Sequence, residues 1–212
     1  INTVTFGNAT TDIVTISSGQ LQIESDVTTT DIVKNAATWT NSGGTIIYNA
    51  APVVSTILLS SLSPYYNLQV NSAGSTYTLN GNIVISNNNT ITAGTMDVSA
   101  SNYTIYIAGS WSNSGSFTAQ NGLVYFVGAD ASTQAISGTT SFYKFRARTS
   151  GNSAGRTLQF AGLSTTTVTN LWEIFGYNGK MITLQSSDGN NWSINPTTAA
   201  DVSYADVSRS TN

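Results

Sequence analysis

The sequence predicts an all-β fold built from stacked repeating units, a β-solenoid. Three observations lead to this prediction: apolar and polar residues alternate along most of the chain, turn-forming residues separate the alternating runs, and a long segment recurs. Alternation with a period of two places apolar side chains on one face of a strand. Thr, Val, Ile and Tyr within the runs, with Asn, Gly, Ser and Asp between them, favour strands over helices.

The alternating runs are short and evenly distributed. Residues 83–85 and 105–107 are typical runs. Asn80-Gly81, just before the first of these runs, is a typical turn. Roughly one strand every twelve residues is compatible with a sandwich, a barrel or a solenoid. Strand spacing by itself does not choose among these three architectures.

A long internal repeat favours the solenoid. Residues 39–43 match residues 111–115, and each segment is followed by an aliphatic-aromatic strand, at 45–48 and at 123–126. Similar segments in tandem are typical of units that bury their apolar faces on one another. We therefore predict a single elongated β domain over residues 1–212, with internal repeats at about 37–107 and 108–187. Tandem antiparallel β-sandwiches are the alternative, since a repeat of about 75 residues is only slightly short for a sandwich.

The composition agrees with stacked coils. Thr, Ser, Asn and Gly supply 101 of 212 residues (32, 29, 22 and 18), whereas charged residues supply 8%. Coils stack about 4.8 Å apart, so like residues lie over one another and columns of Asn, Thr or Ser hydrogen-bond without charge repulsion. Repeats of this kind predict coils of about 20–25 residues.

Composition also excludes many kinds of chemistry. The chain has no His and no Cys, which removes thiol nucleophiles, disulfides, imidazole bases and the commonest transition-metal ligands. The acidic residues are scattered and show no pair suited to glycoside hydrolysis. We therefore predict that the protein is not an enzyme and has no catalytic residues, no metal and no cofactor. A β-helix polysaccharide lyase, which uses Asp-bound calcium with Arg or Lys, is the enzymatic alternative, but no dense Asp cluster supports it.

The charge and hydropathy patterns also bear on partners. A net charge of -3 supplies no basic field for a phosphate backbone, so we expect no nucleic-acid partner. No apolar run is long enough to span a bilayer, so we expect no membrane span. A surface rich in Ser, Thr, Asn and Gly and poor in Lys is typical of secreted bacterial surface and filament proteins, which predicts an extracellular or cell-surface location.

One strand concentrates positive charge. Alternation places Lys144, Arg146 and Arg148 on one face of a strand and Phe145 and Ala147 on the other. These cations form either a solvated face or a contact for carboxylates, supplied by an anionic glycan or by a neighbouring subunit. The acidic residues considered as subunit counterparts are Glu24, Asp26, Asp31, Asp201 and Asp206. The aromatic residues that we assign to the core or an interface, rather than to sugar stacking, are Tyr65, Tyr66, Phe142 and Tyr143.

Short motifs of glycine and aromatic residues follow one another in the second half of the chain. They are G-x-W-x-N-x-G-x-F at 109–117, the G-x-V-x-F-like run at 122–126, Q-x-I-x-G at 134–138 and F-Y-x-F at 142–145. This series resembles the repeat segments of large bacterial cell-surface and adhesin-like proteins. The run 182–187, Trp192 and the run 202–207 resemble the close of those arrays, and the similarity covers about residues 37 to 207. The resemblance implies a right-handed parallel β-helix that acts as a scaffold or an adhesin.

The strands near both ends predict self-association. Both terminal strands are alternating runs with no visible cap, and an open coil exposes unpaired main-chain groups and apolar core. The residues predicted to form this joint are Ile1, Val4, Phe6, Val202, Tyr204 and Val207. We therefore expect a structural extracellular protein, the self-assembling subunit of a bacterial surface filament, which forms a homopolymer through end-to-end or strand-donating contacts and has surface polysaccharide as a further candidate partner. The alternative is an adhesin or carbohydrate-binding segment of a larger surface protein.

Overall fold

The computed structural model describes residues 4–6, 13–24, 27, 32–34, 38–50, 55–149 and 154–211. Within these residues the chain is a parallel β-solenoid, as the sequence predicts. All pairings between its strands are parallel, which makes the tandem antiparallel sandwich wrong. The described residues contain one short 3-10 helix, at Ser60–Leu62, and no helix in them is long and apolar enough to cross a membrane.

The strands follow the chain in one direction around a common axis. They are β1 (Val4–Phe6), β2 (Ile13–Ile16), β3 (Gln20–Ile23), β4 (Ile32–Lys34), β5 (Thr38–Asn41), β6 (Thr45–Tyr48), β7 (Ser55–Leu58), β8 (Asn67–Leu79), β9 (Ile83–Ile85), β10 (Asn89–Asp97), β11 (Thr104–Ile107), β12 (Trp111–Asn113), β13 (Ser116–Thr118), β14 (Leu123–Phe126), β15 (Thr133–Gly138), β16 (Thr140–Arg148), β17 (Arg156–Phe160), β18 (Thr165–Phe175), β19 (Ile182–Ser186), β20 (Trp192–Pro196), β21 (Ala199–Ser203), β22 (Ala205–Val207) and β23 (Ser210–Thr211).

The strands stack into faces that run along the axis. Face 1 contains β3, β6, β8, β10, β12, β15, β17, β19 and β22 in that order, and β7 and β13 pair with the later parts of β8 and β10 to form face 2. Face 3 contains β9, β11, β14, β16 and β18 in that order, and β20 and β21 both pair with β18. Strand β23 pairs with β20 and ends this face. A side chain on one of these faces therefore has its neighbours in the preceding and following coils.

The coils vary in length more than predicted. The coil that leads from Trp192 to its partner Ser210 is shorter than the expected range, and the coil that leads from Val4 to its partner Ile32 is longer. The expected range of about 20–25 residues is therefore too narrow. The turns absorb the difference, because the strands must stay in register while the segments between them lie outside the sheets.

The segments aligned as internal repeats occupy different places in the coil. Strand β6, from the first repeat, lies in face 1, whereas β14, from the second, lies in face 3. All faces share the same alternation of apolar and polar residues, so local similarity does not determine the face. The structural repeat is the single coil.

The interior is a continuous core that is apolar apart from a few buried polar side chains, such as Asn89. On face 1, successive coils place inward residues directly over one another, and almost all of them are fully buried. One such inward column reads Ile46, Leu68, Asn89, Trp111, Ile136 and Phe160. Each coil therefore covers the apolar residues of the coil before it, which is the main source of stability in a stacked fold.

Asparagine side chains join the coils at the corners. The Oδ1 atom of Asn82 accepts a hydrogen bond from the main-chain N–H of Thr104 at 2.8 Å, and Oδ1 of Asn102 accepts from Asn121 at 2.9 Å. Each bond links one coil to the next where the main chain leaves the ladder. The abundance of Asn at turns thus satisfies main-chain donors between coils.

Two glycines permit the coils to approach closely. Gly94 and Gly138 have φ angles of +82° and +77°, in the left-handed region. A Cβ atom at Gly138 would lie 1.8 Å from the carbonyl oxygen of Asn113, and one at Gly94 would lie 2.3 Å from that of Ser72. A larger residue at either place would push neighbouring coils apart.

Candidate functional site

The cationic strand lies on the outer side of face 3. Lys144, Arg146 and Arg148 project outward from β16, while Phe145 and Ala147 are fully buried. The predicted alternation is confirmed. Hydrogen bonds to the two neighbouring strands, β14 and β18, fix the strand in the middle of the face.

Both arginines bind one carboxylate of the next coil. Glu173, on β18, lies in register with Arg146 and accepts a hydrogen bond from Nη2 of Arg146 at 2.9 Å and from Nε of Arg148 at 2.8 Å. The Glu173 side chain is 7% exposed, whereas those of Arg146 and Arg148 are 30% and 45% exposed. One buried carboxylate therefore holds two guanidinium groups that solvent still reaches.

Electrostatics stabilise this arrangement. Burial disfavours the charged form of Glu173, but the hydrogen bonds from Arg146 and Arg148 outweigh burial and lower the pKa of the carboxyl. The pKa of Arg148 is raised, chiefly by its hydrogen bond to Glu173. Asp201 on β21 lies in register with Glu173 and is exposed, so Arg146 and Arg148 meet two carboxylates, and Lys144 supplies the remaining positive charge of this face.

Aromatic rings continue the same outward column. Tyr106 pairs with Tyr125, and Tyr125 pairs with Arg146, on three successive coils. The two tyrosine rings are 5.9 Å apart, and the guanidinium carbon of Arg146 lies 5.6 Å from the centre of the Tyr125 ring. Arg148 lies 4.9 Å from the ring centre of Phe175, which makes a second cation–π contact. We call Tyr106, Tyr125 and Arg146, together with the adjacent Arg148, the tyrosine–arginine column.

Arg156 does not belong to this surface, although it lies near the cationic strand in sequence. Its side chain is buried in the interior and donates to the carbonyl oxygens of Gly128 and Arg148, both at 2.9 Å, and of Phe126 at 3.1 Å. It also bonds to Oε1 of Gln134. Burial lowers the pKa of Arg156 to about 10. Arg156 thus ties together main-chain segments where two coils leave their strands.

The last described coil exposes residues at core positions. Val207 lies in register with Leu184, and Val202 with Ile174; Leu184 and Ile174 are buried, whereas Val207 is 48% and Val202 46% exposed. Tyr204, between the two strands, is 53% exposed. In the described part of the chain, β21, β22 and β23 each pair on one side only. We call this surface, made by Val202, Tyr204 and Val207, the open coil edge.

The residues predicted to form the other joint are placed differently. Ile1 lies outside the described residues. Val4 lies in β1, whose main chain pairs in parallel with β4. Phe6 is half-buried and packs edge-to-face on Trp39, with ring centres 5.3 Å apart. This strand is thus part of the stacked structure, and its aromatic residue contacts the chain's own core.

Other predicted residues are distributed as follows. Tyr65 and Phe142 are fully buried, as predicted for core residues, and Tyr66 and Tyr143 are half-buried. Of the acids considered as counterparts on a neighbouring subunit, Glu24, Asp201 and Asp206 are exposed, and Asp26 and Asp31 lie outside the described residues. Asp201 lies in register with Glu173 on face 3 of the same chain. Across the described ranges, no three His, Cys, Asp or Glu side chains come together as a metal site would require.

Comparison with protein-family models, with curated proteins and with solved structures finds no match.

Sequence reasoning missed the carboxylate that the cationic strand binds. Glu173 is the internal partner, and it lies in register with Arg146 at the end of one long coil. The coil that leads from Tyr106 to Tyr125, earlier in the same column, is shorter. Spacings near the length of one coil were the available signal, but only the register shows which spacing applies at each step.

Proposed function

We propose that this chain is a structural extracellular protein, the self-assembling subunit of a bacterial surface filament. The observation that supports this role is the open coil edge, where Val202 and Val207 occupy core positions but remain about half exposed. Their register partners Ile174 and Leu184 are buried because the next coil covers them. A coil from a second copy would cover Val202 and Val207 in the same way.

Two contributions to the free energy of association favour such stacking. Burying apolar side chains stabilises a contact by about 25 cal/mol per Å² of apolar surface removed from water. An edge strand also presents main-chain N–H and C=O groups that pair readily with another strand. Because β22 and β23 lie at the ends of their sheets in the described region, both contributions act at the same surface.

The charge distribution permits close approach between copies. Only 8% of the residues are charged, and β21 and β22 each carry a single charged side chain, Asp201 and Asp206. Copies that meet at the open coil edge therefore experience little repulsion. Contact between one end of a rod and the other end of the next is heterologous, and it produces an open fibre unless the rotation closes a ring.

The proposal includes the absence of catalysis and a location outside the cell. A stack of parallel coils whose residues are mostly polar or apolar and seldom charged suits a load-bearing or spacing role. The role as an adhesin or carbohydrate-binding segment concerns the side faces rather than the coil edge, and both roles are compatible in one rod. Antibody labelling of intact cells of the source organism tests the location.

Sedimentation velocity of the full chain over a concentration series tests self-assembly. We expect the parent protein to form longer particles as its concentration rises and Val207→Lys to stay monomeric, because a charge at a core position opposes stacking. Val84→Lys is the matched control, since Val84 is 42% exposed but lies on the outer side of face 3. A parent that stays monomeric, or a Val207→Lys variant that assembles like Val84→Lys, would contradict the proposal.

A further inference from the structure

We propose that the tyrosine–arginine column on face 3 is a binding track for a linear polysaccharide that carries carboxylate groups. The track consists of Tyr106, Tyr125 and Arg146 in register on three successive coils, with Arg148 beside Arg146. This binding role is separate from stacking at the open coil edge and does not depend on it.

The first element of the track is its direction. Strands of neighbouring coils lie about 4.8 Å apart, so residues in one register form a straight row along the axis. Tyr106 and Tyr125 are half-buried, with their flanking residues in the core, so their rings lie against the surface of the rod. A row of this kind fits an extended chain whose units repeat along the axis.

The second element is the pair of aromatic rings. The centres of the Tyr106 and Tyr125 rings are 5.9 Å apart. The C–H faces of sugar rings pack on aromatic rings, and tyrosine adds a hydroxyl group that bonds to sugar hydroxyls. Successive sugar units can therefore contact successive tyrosines, whereas an isolated anion would gain nothing from them.

The third element is the positive charge next to these rings. The strands of face 3 carry three cations, Lys144, Arg146 and Arg148, and two carboxylates, Glu173 and Asp201. The net charge of these strands is therefore one positive charge. The whole chain, in contrast, has a net charge of -3. The face thus attracts anions on a molecule that otherwise repels them.

The fourth element is the state of the guanidinium groups. Glu173 fixes Arg146 and Arg148 in place, and the side chain of Arg148 is nevertheless 45% exposed. A guanidinium group carries five donors in a planar fork, so those that Glu173 does not use can receive a carboxylate. One row thus offers guanidinium groups that can bind ligand carboxylates and tyrosine rings that can pack on sugar rings. A polymer of uronic acids carries both of these ligand groups.

Isothermal titration of the full chain with size-defined oligogalacturonate, against its methyl-esterified form, tests the track. We expect binding of the charged oligomer, and we expect the dissociation constant to rise roughly tenfold in Arg148→Gln and in Tyr125→Ala. Arg209→Gln is the matched control, because Arg209 is an exposed cation outside the tyrosine–arginine column, next to β23, and its loss should leave affinity within about twofold. Circular dichroism of each variant verifies that it folds.

Four results would overturn this proposal. They are no binding of the oligomer by the parent, equal binding by Arg148→Gln and Arg209→Gln, unchanged binding by Tyr125→Ala, and equal binding of the esterified form. Sedimentation of the same variants separates a glycan site from a contact between copies. If Arg148→Gln changes particle length but not oligomer affinity, the cationic strand is a subunit contact and the track is wrong.

Discussion

The early coils and the later coils fill the same interior with different aromatic residues. Between residues 45 and 79 the core contains three buried tyrosines, Tyr48, Tyr65 and Tyr77. Later in the chain the core contains Phe and Trp, with Phe145 lying 4.6 Å from Phe126 and 4.5 Å from Trp172, measured between ring centres.

The difference follows from where the main chain leaves the sheets. Leu59 and Ala50 lie outside the strands, and their main-chain groups bond to tyrosine hydroxyls. The hydroxyl of Tyr48 accepts from the Leu59 N–H at 2.9 Å, that of Tyr77 accepts from the Ala50 N–H at 2.9 Å, and that of Tyr65 donates to the Leu59 carbonyl. Phe145 lies in register with Val124 and Trp172 in the ladders of face 3, where a ring without a polar atom suffices. The buried tyrosine hydroxyls of the early coils thus satisfy main-chain groups where the ladder is interrupted.

The greatest loss of stability should follow a change in the aromatic stack, which is formed by Phe126, Phe145 and Trp172. Phe145→Ala removes a fully buried ring that contacts rings on the coils before and after it. We expect the free energy of unfolding to fall by about 3–5 kcal/mol, as measured by urea denaturation. Tyr143→Ala, a half-buried residue of the same strand, is the control and should cost clearly less. A loss below about 1 kcal/mol would mean that the stack is not a main source of stability.

The second largest loss of stability is expected in the tyrosine cluster, which consists of Tyr48, Tyr65 and Tyr77. Tyr48→Phe leaves the Leu59 N–H without its buried acceptor and removes the bond between the hydroxyls of Tyr48 and Tyr65, at 3.0 Å. We expect the free energy of unfolding to fall by up to about 3 kcal/mol at neutral pH. Phe142→Tyr is the converse change, because the rings that pack on Phe142 are those of Trp111, Phe117, Phe126 and Phe145 and none of them is a tyrosine. If Phe142→Tyr stabilises the protein, the contrast between the early and the later coils is wrong.

Alkaline pH distinguishes the two regions as well. Burial raises the pKa of Tyr48 to about 12, and it also raises the pKa of Tyr65. The folded state keeps protons that the unfolded state loses, so the stabilisation is complete below pH 10 and is lost as pH rises from 10 towards 12. We expect Tyr48→Phe to show a shallower fall in melting temperature over this range than the parent. An equal slope would show that the Tyr48 phenol does not titrate differently in the two states.

A smaller effect is expected on the outer side of the later coils. Glu173→Gln removes the carboxylate that holds Arg146 and Arg148, and we expect a loss of about 1 kcal/mol near neutral pH. Because the pKa of Glu173 is lowered on folding, its contribution is present above the ordinary pKa of a glutamate and is lost as pH falls through the folded value. Parent and variant should therefore converge in acid. A constant difference down to low pH would contradict this assignment.

The smallest change in the free energy of unfolding is expected at Lys144, in the middle of the cationic strand. Lys144 is half-buried and its ammonium nitrogen lies 5.5 Å from the ring centre of Tyr143. Lys144→Gln should change the free energy of unfolding by less than about 0.5 kcal/mol in urea denaturation. A larger loss would show that this cation contributes to folding and is not only a surface charge.

Some of these features could be predicted from the sequence. The alternation around Phe145 predicts which side chains are buried, and the low charge favours stacked coils. The internal repeat, in contrast, matches β6 to β14, which lie on different faces, because the alternation is common to all faces. Glu173 and Tyr106 were missed for a related reason: turn lengths vary, so only the register shows which residue of the next coil is the neighbour.

Self-assembly as proposed requires that a second copy cover the open coil edge. Hydrogen–deuterium exchange of the full chain, read at residues 199–207 in dilute and in concentrated samples, tests it directly. We predict that these amides become more protected as concentration rises, while those of β14, inside the stack, do not change. Protection that is independent of concentration at residues 199–207, or that appears instead on the outer side of face 3, would contradict the claim.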